Sequence, residues 1–188
     1  MTGERAEGAS GVGQRVLVTG LAGAGKSTFS RMLSERTGLP VVTLDVHFWR
    51  PGWTEPPEEE WREQVRVLLA GPRWIADGND RATLEDRLAR ADTVVLLDLP
   101  WWVCVRRALL RGFRRRPPGF QLPAGCAEPA WRRLYDEWRL AFRLCRVHGR
   151  ERDRELELLR RNQDRVTLHV LGSRRAVADF LGSEPGGP

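Results

Sequence analysis

Apolar residues in this chain gather in short runs, and longer amphipathic stretches separate them. Residues 15–20 (RVLVTG) form one such run, closed by glycine, and read as a buried strand. Residues 26–36 follow with Phe29, Met32 and Leu33 at helical spacing. A second strand is expected over 41–44, entered through Gly38 and Pro40. The Trp- and Pro-rich stretch HFWRPGWTEPP then leads into a helix over about 58–70. Residues 74–76 read as a third strand and 82–90 as a short helix. Residues 93–99 (TVVLLDL) are continuous and β-branched, the pattern of a strand covered on both faces. A helix over about 102–111 runs into a Gly/Pro/Arg segment at 111–125. Helices over about 129–147 and 151–161, a strand over 165–171 and a last helix complete the chain. Alternating strands and helices without an internal repeat predict an α/β fold, a parallel sheet with helices on both faces. Residues 1–13 and 183–188 read as flexible tails, which leaves 14–182 as a single domain.

Composition narrows the class. With 188 residues, 41% hydrophobic and 30% charged, the chain reads as one folded domain rather than a disordered or fibrous one. No apolar run approaches the ~18 residues of a membrane span, and the first residues lack the apolar core of a signal peptide. Three cysteines, Cys104, Cys126 and Cys145, form no paired framework. The expectation is a cytoplasmic protein with no membrane partner. Charge is uneven: residues 1–100 carry −3, residues 101–175 carry +11 and the remainder −2. The basic half suits either a polyphosphate ligand or nucleic acid, or simply presents solvated arginine faces.

Of 31 basic residues 30 are arginine, so arginine abundance carries little information, and the one lysine, Lys26, stands out. It lies in GLAGAGKS at 20–27, which fits GxxxxGK[ST] at every fixed position, with Thr28 next. The motif falls between the first strand and the first helix, where the chemistry requires it. Gly20, Gly23 and Gly25, with Ala24 between them, let backbone N–H groups wrap a phosphate closely. The helix N-terminus adds donors and partial positive charge. Lys26 supplies a compact charge that can follow a moving phosphoryl group, where a planar guanidinium fits poorly. Ser27 presents a hydroxyl suited to Mg²⁺. The motif implies a site for a nucleoside triphosphate.

Other candidates follow the strand ends. Asp45 closes the second expected strand, at the edge where such sheets bind ligands. There it either orients an acceptor hydroxyl, holds a metal-bound water, or caps a turn. Beyond it His47, Phe48, Trp49 and Trp53 form an aromatic cluster that either walls an acceptor pocket or packs the loop down. His47 alone reads as structural. Asp77, Gly78, Asn79, Asp80 and Arg81 spell DGxxR after the third strand. Either the segment is a plain turn, or Asp77 serves Mg²⁺ through water and Arg81 clamps an acceptor's phosphate or carboxylate. Asp98 lies near the end of an apolar strand and, with Asp77 available, reads either as structural or as a support for the residues that meet the ligand. Arg107 and Arg111 share a helix face before Arg114, Arg115 and Arg116. Arg139, Arg143 and Arg146 share another.

These blocks together resemble the adenylate-kinase-like P-loop kinases, and most closely the DNA topology modulation (FlaR-type) group. The carrying residues are the loop at 20–28, LDVHFWRPGW at 44–53, WIADGN at 74–79, ADTVVLLDLP at 91–100, and Gly125, Cys126 and Glu128. The resemblance implies a five-stranded parallel sheet of order 2-3-1-4-5, an acceptor region about 45–70 and a lid about 112–127. It implies that Arg81 holds the acceptor's phosphate, that Asp77 serves Mg²⁺, and that Arg107 and Arg111 meet the donor nucleotide. The group commonly has tyrosine where this chain has Asp80. On this reading the chain is an ATP- and Mg²⁺-dependent phosphotransferase. Lys26, Asp45, Arg81 and Arg111 are its catalytic candidates, and Asp45, Trp49, Trp53, Asn79, Arg81 and Arg143 its acceptor-side candidates. A nucleotide or nucleoside is the first acceptor to consider. The alternative is a nucleotide-binding regulator that touches DNA weakly through its basic C-terminal half. No helix-turn-helix or zinc motif supports base reading, so DNA is not expected as a partner at physiological salt.

Overall fold

The computed structural model describes residues 12–113 and 122–183. In chain order the elements are β1 (Arg15–Gly20), α1 (Lys26–Thr37), β2 (Val41–Thr43), α2 (Leu44–Phe48), α3 (Glu58–Leu68) and β3 (Trp74–Asp77). They continue as α4 (Leu84–Arg90), β4 (Thr93–Leu97), α5 (Trp101–Phe113), α6 (Ala130–Arg161), β5 (Thr167–Leu171) and α7 (Arg174–Ser183). The strands form one parallel sheet of order β2-β3-β1-β4-β5, as the resemblance implied.

Continuous apolar strands suit this sheet because alternate residues enter two separate cores. Val16, Val18, Ile75, Val95 and Leu97 face one core, with Phe29 and Leu33 of α1, Cys104 of α5 and Leu181 of α7. Leu17, Trp74, Ala76, Val94 and Leu96 face the other, with Trp61 and Val65 of α3 and Leu84 and Leu88 of α4. The order reverses between β1 and β4, so the carboxyl ends of β1, β3 and β4 flank a crevice suited to ligands.

Three features depart from the expected pattern. The chain is fixed earlier than the expected tail boundary, since Val12 is buried and Gly13 N–H donates to Thr93 Oγ1 at 2.9 Å. The Asp92 carboxylate fastens Gln14 and Arg15 in the same way. The second strand ends one residue early, and Leu44 begins the one-turn helix α2, which the Pro- and Gly-rich stretch disguised. The two expected helices at 129–147 and 151–161 are one 32-residue helix, α6, about 48 Å long. Gly149 costs a helix interior about 1 kcal/mol, which the anchoring of α6 on both sides offsets. Leu144 is buried in the first core and Leu159 in the second. The residues between them therefore cross the carboxyl edge of the sheet. Arg152 there donates to both oxygens of Asp98 at 2.7 and 2.6 Å, which gives Asp98 a structural role.

Candidate functional site

The loop between β1 and α1 has the backbone its glycines allow. Gly20, Gly23 and Gly25 have φ of 130°, 85° and 103°. A Cβ at Gly23 would stand 2.3 Å from Cys104 O, and one at Gly20 2.5 Å from Leu97 O, so neither position admits a side chain. Ala24 N–H bonds Leu21 O at 3.0 Å, and Arg107 Nη1 donates to Ala24 O at 2.9 Å, clamping the loop from α5. Lys26, at the start of α1, turns its ammonium back onto Gly20 O (2.9 Å) and Leu21 O (3.2 Å). Ser27 and Thr28 are exposed beside it.

Two carboxylates face this loop. Asp77 ends β3 in a buried position and accepts a hydrogen bond from the Ser27 hydroxyl. Asp45, expected at a strand end, stands instead in the first turn of α2. Solvent reaches it in the crevice, yet protein surrounds it closely enough for desolvation to dominate. Burial raises both carboxyls above the ordinary range, while Lys26 draws them down. Burial likewise pushes the Lys26 ammonium below the usual lysine range, against the pull of Asp77, Asp45 and Glu155. Arg111 acts electrostatically on both Lys26 and Asp45, and is itself held by Glu137 through bonds of 2.5 and 2.9 Å. Lys26, Ser27, Asp45, Asp77, Arg107 and Arg111 are thus gathered at one end of the sheet. Ser27 and Asp77 offer adjacent hard oxygens, which fits Mg²⁺: that ion takes one or two protein ligands and completes its shell with phosphate and water.

The DGxxR segment forms the crevice's other wall. Gly78 lies so close to α2 that a Cβ would meet Leu44 Cβ at 2.8 Å. Asp80 supports the wall. Its carboxylate accepts from Trp61 Nε1 at 3.0 Å, Thr83 N–H at 2.9 Å and Thr83 Oγ1 at 2.6 Å. Arg87, invisible to sequence reasoning in so arginine-rich a chain, is buried beneath the segment and donates to Gly78 O, Asp80 O and Thr83 O. Asn79 and Arg81 border a cavity of about 180 Å³ that begins at Thr19 and Leu21, beside the phosphate-binding loop. Across that cavity stand Glu151 and Glu155 of α6, which the sequence reading did not single out. Glu155 accepts a hydrogen bond from Thr19 Oγ1. Glu151 pairs with Arg81 and Arg143, which brings two of the expected acceptor-side arginines together.

The tryptophans sit elsewhere. Trp49 and Trp53 pack edge to face at 5.7 Å, and Phe48 links Trp49 to Trp61. Trp53 Nε1 donates to Ala127 O at 2.8 Å beneath the Arg132 guanidinium, 5.2 Å from the ring centre. Gly52 N–H bonds Gly125 O at 3.2 Å, and a Cβ at Gly125 would meet Pro51 at 2.9 Å. The loop at 49–54 is therefore fastened to the segment 122–132, and neither tryptophan borders the Arg81 cavity. The expected lid falls partly outside the described residues, as do Arg114, Arg115 and Arg116.

No protein-family model matches the chain. The cytidylate kinase of Methanothermobacter thermautotrophicus is 34% identical over 116 residues, which span 51% of this chain and 67% of that enzyme. Among solved structures, a gluconokinase from Sinorhizobium meliloti aligns at 16% identity and a TM-score of 0.46, over 90% of each chain. A shikimate kinase from Bacteroides thetaiotaomicron aligns at 16% and 0.46, over 90% of this chain and 94% of that one. Both of these structural likenesses are too distant to bear on chemistry.

Proposed function

This chain belongs to the P-loop nucleotide- and nucleoside-kinase-like proteins, and we propose that it moves the γ-phosphoryl group of ATP to a small acceptor. A nucleoside monophosphate is the first acceptor to consider, cytidylate foremost, because the relative is a cytidylate kinase. The observation that carries the reading is the crevice itself. Lys26, Ser27, Asp45 and Asp77 stand on one side and Arg81 with Asn79 on the other, across a single sheet edge.

The reaction needs positioning and neutralisation of charge more than covalent chemistry. Backbone N–H groups of the 20–28 loop would hold the ATP phosphates. Lys26 would leave its own carbonyls and follow the charge of the transferring group, a change of partner that its desolvated ammonium favours. Arg107 stiffens the loop, and Arg111 adds positive charge nearby. Ser27 and Asp77 would hold Mg²⁺, which neutralises phosphate charge when bound. The bond between the ADP oxygen and the γ-phosphorus breaks as the acceptor oxygen bonds to that phosphorus. A phosphate acceptor brings an oxygen already ionised, so Asp45 only orients it. With a hydroxyl acceptor Asp45 takes the proton, and its raised pKa makes it the better base.

The finer resemblance to the topology modulation group rests on the blocks at 44–53 and 74–79 and leaves this chemistry unchanged. A DNA-directed role draws less support, because Arg111, Arg132, Arg143, Arg152 and Arg161 of the basic half are already paired with carboxylates. The test is ADP release with ATP, Mg²⁺ and a panel of nucleoside monophosphates, nucleosides and small hydroxy acids. Acceptor-dependent release that Lys26→Ala abolishes supports the reading. Release at one rate whatever the acceptor overturns it.

A further inference from the structure

Phosphoryl transfer to a phosphorylated acceptor does not call for a carboxylate in the acceptor's anion site, yet one is there. α6 carries Glu151 across the sheet edge with its side chain only 12% exposed. Its Oε2 lies 2.8 Å from Arg81 Nη2, and its Oε1 lies 3.2 Å from Arg143 Nη2. Two guanidinium groups converging on one carboxylate, one through each oxygen, is the arrangement by which a phosphate is held. We infer that Glu151 is a resident competitor for the acceptor's anionic group. It occupies the Arg81–Arg143 subsite in the free protein and leaves when a phosphorylated acceptor binds. The inference rests on the reading of Arg81 as an acceptor residue.

Charge gives this arrangement a selective consequence. A carboxylate acceptor replaces Glu151 at equal charge and gains little from the exchange. A phosphate monoester carries about −1.5 to −2 at neutral pH and attracts the two arginines more strongly than Glu151 does. Neutral acceptors leave Glu151 in place. Glu151 thus tunes the subsite toward phosphorylated acceptors by holding weaker anions out. Arg154, three residues on and bordering the same cavity, is a partner that Glu151 can take after displacement.

The test is calorimetric binding of cytidine monophosphate, inorganic phosphate and cytidine to the whole protein without ATP. Glu151→Gln should bind cytidine monophosphate roughly tenfold more tightly than the parent, the scale of one charged pair. Phosphate should tighten too, cytidine should not change, and Arg81→Ala in the Glu151→Gln background should remove the gain. A residue that merely positions Arg81 would do the opposite, so equal or weaker binding by Glu151→Gln overturns the inference. Glu151→Asp, too short to reach both arginines, guards against a folding defect. It should shift binding in the same direction, and unchanged affinity in both variants overturns the proposal equally. If phosphate tightens through Arg81 while cytidine monophosphate binds to neither protein, the inference stands and the nucleotide acceptor falls. If the parent phosphorylates cytidine monophosphate and neither variant gains affinity, the acceptor reading stands and the inference falls.

Discussion

Arg87 tests whether the wall that carries Asn79 and Arg81 is built separately from the loop at 20–28. Its side chain is 1% exposed and spans three backbone carbonyls: Thr83 O at 3.3 Å, Gly78 O at 3.0 Å, and Asp80 O. Burial pulls its pKa from the usual arginine range down to about 10, against the nearby charges of Asp80, Glu155 and Asp45. A base whose pKa falls on folding carries a cost in its charged form, here roughly 3 kcal/mol. Arg87→Met removes that cost but strands two carbonyls, those of Gly78 and Asp80, at about 1–3 kcal/mol each, while Thr83 O keeps the backbone N–H of residue 87. The carbonyl term is the larger over most of that range, and the expected net loss is roughly 1–2 kcal/mol in urea denaturation. The same change should free the segment carrying Asn79 and Arg81. The acceptor KM should rise by about tenfold or more, the price of one lost charged contact. ATP affinity should hold, because the 20–28 loop is clamped from α5 by Arg107 and not by Arg87. A variant as stable as the parent, or one losing ATP and acceptor affinity together, would refute this reasoning.

Lys26→Ala should lower turnover by roughly 10²-fold while the protein still folds, and Lys26→Arg should fail as well. An active Lys26→Arg would show that a point charge is not required. Asp77→Asn should melt above the parent at neutral pH but lose Mg²⁺-dependent activity. The folded-state pKa of Asp77 is raised, so its charge weakens the fold fully above that pKa and not at all below its ordinary 3.8. Melts taken from about pH 8 down to about pH 4 should therefore show the advantage shrinking; a variant less stable than the parent at neutral pH would reverse the sign. Trp53→Phe removes one indole donor from Ala127 and should cost about 1 kcal/mol in urea denaturation with ATP affinity unchanged. Lost ATP affinity would tie the 49–54 loop to the donor side instead.

How far the sequence reveals this molecule depends on what each residue answers to. Strands β1 and β4 were legible because runs such as VVLL fit only a strand covered on both faces. The phosphate-binding loop was legible because each glycine meets a local steric demand. The strand order came from the resemblance, since periodicity says nothing of which strands are neighbours. α2 escaped because Leu44 continues the apolar run of β2, and only its packing into the second core and against Gly78 turns the chain there. The crossing of α6 escaped because Gly149 breaks the pattern locally, while Leu144 and Leu159 anchor the helix in cores far apart in sequence. Arg87 and Glu151 escaped for one shared reason: among 30 arginines, neither the buried one nor the pair held by a carboxylate carries a local mark. Asp80, read as a missing aromatic ring, proves to be the acceptor of Trp61 and Thr83, a partnership between residues 19 positions apart.

Direct transfer is the central claim, and an isotope experiment reaches it without a coupled assay. ATP labelled with ¹⁸O in its γ-phosphoryl group is incubated with the protein, Mg²⁺ and the acceptor panel, and the products are weighed by mass spectrometry. The expected result is label in a phosphorylated acceptor, absent when Lys26→Ala replaces the parent. Label found only in inorganic phosphate, at the same level with and without every acceptor, would contradict the account.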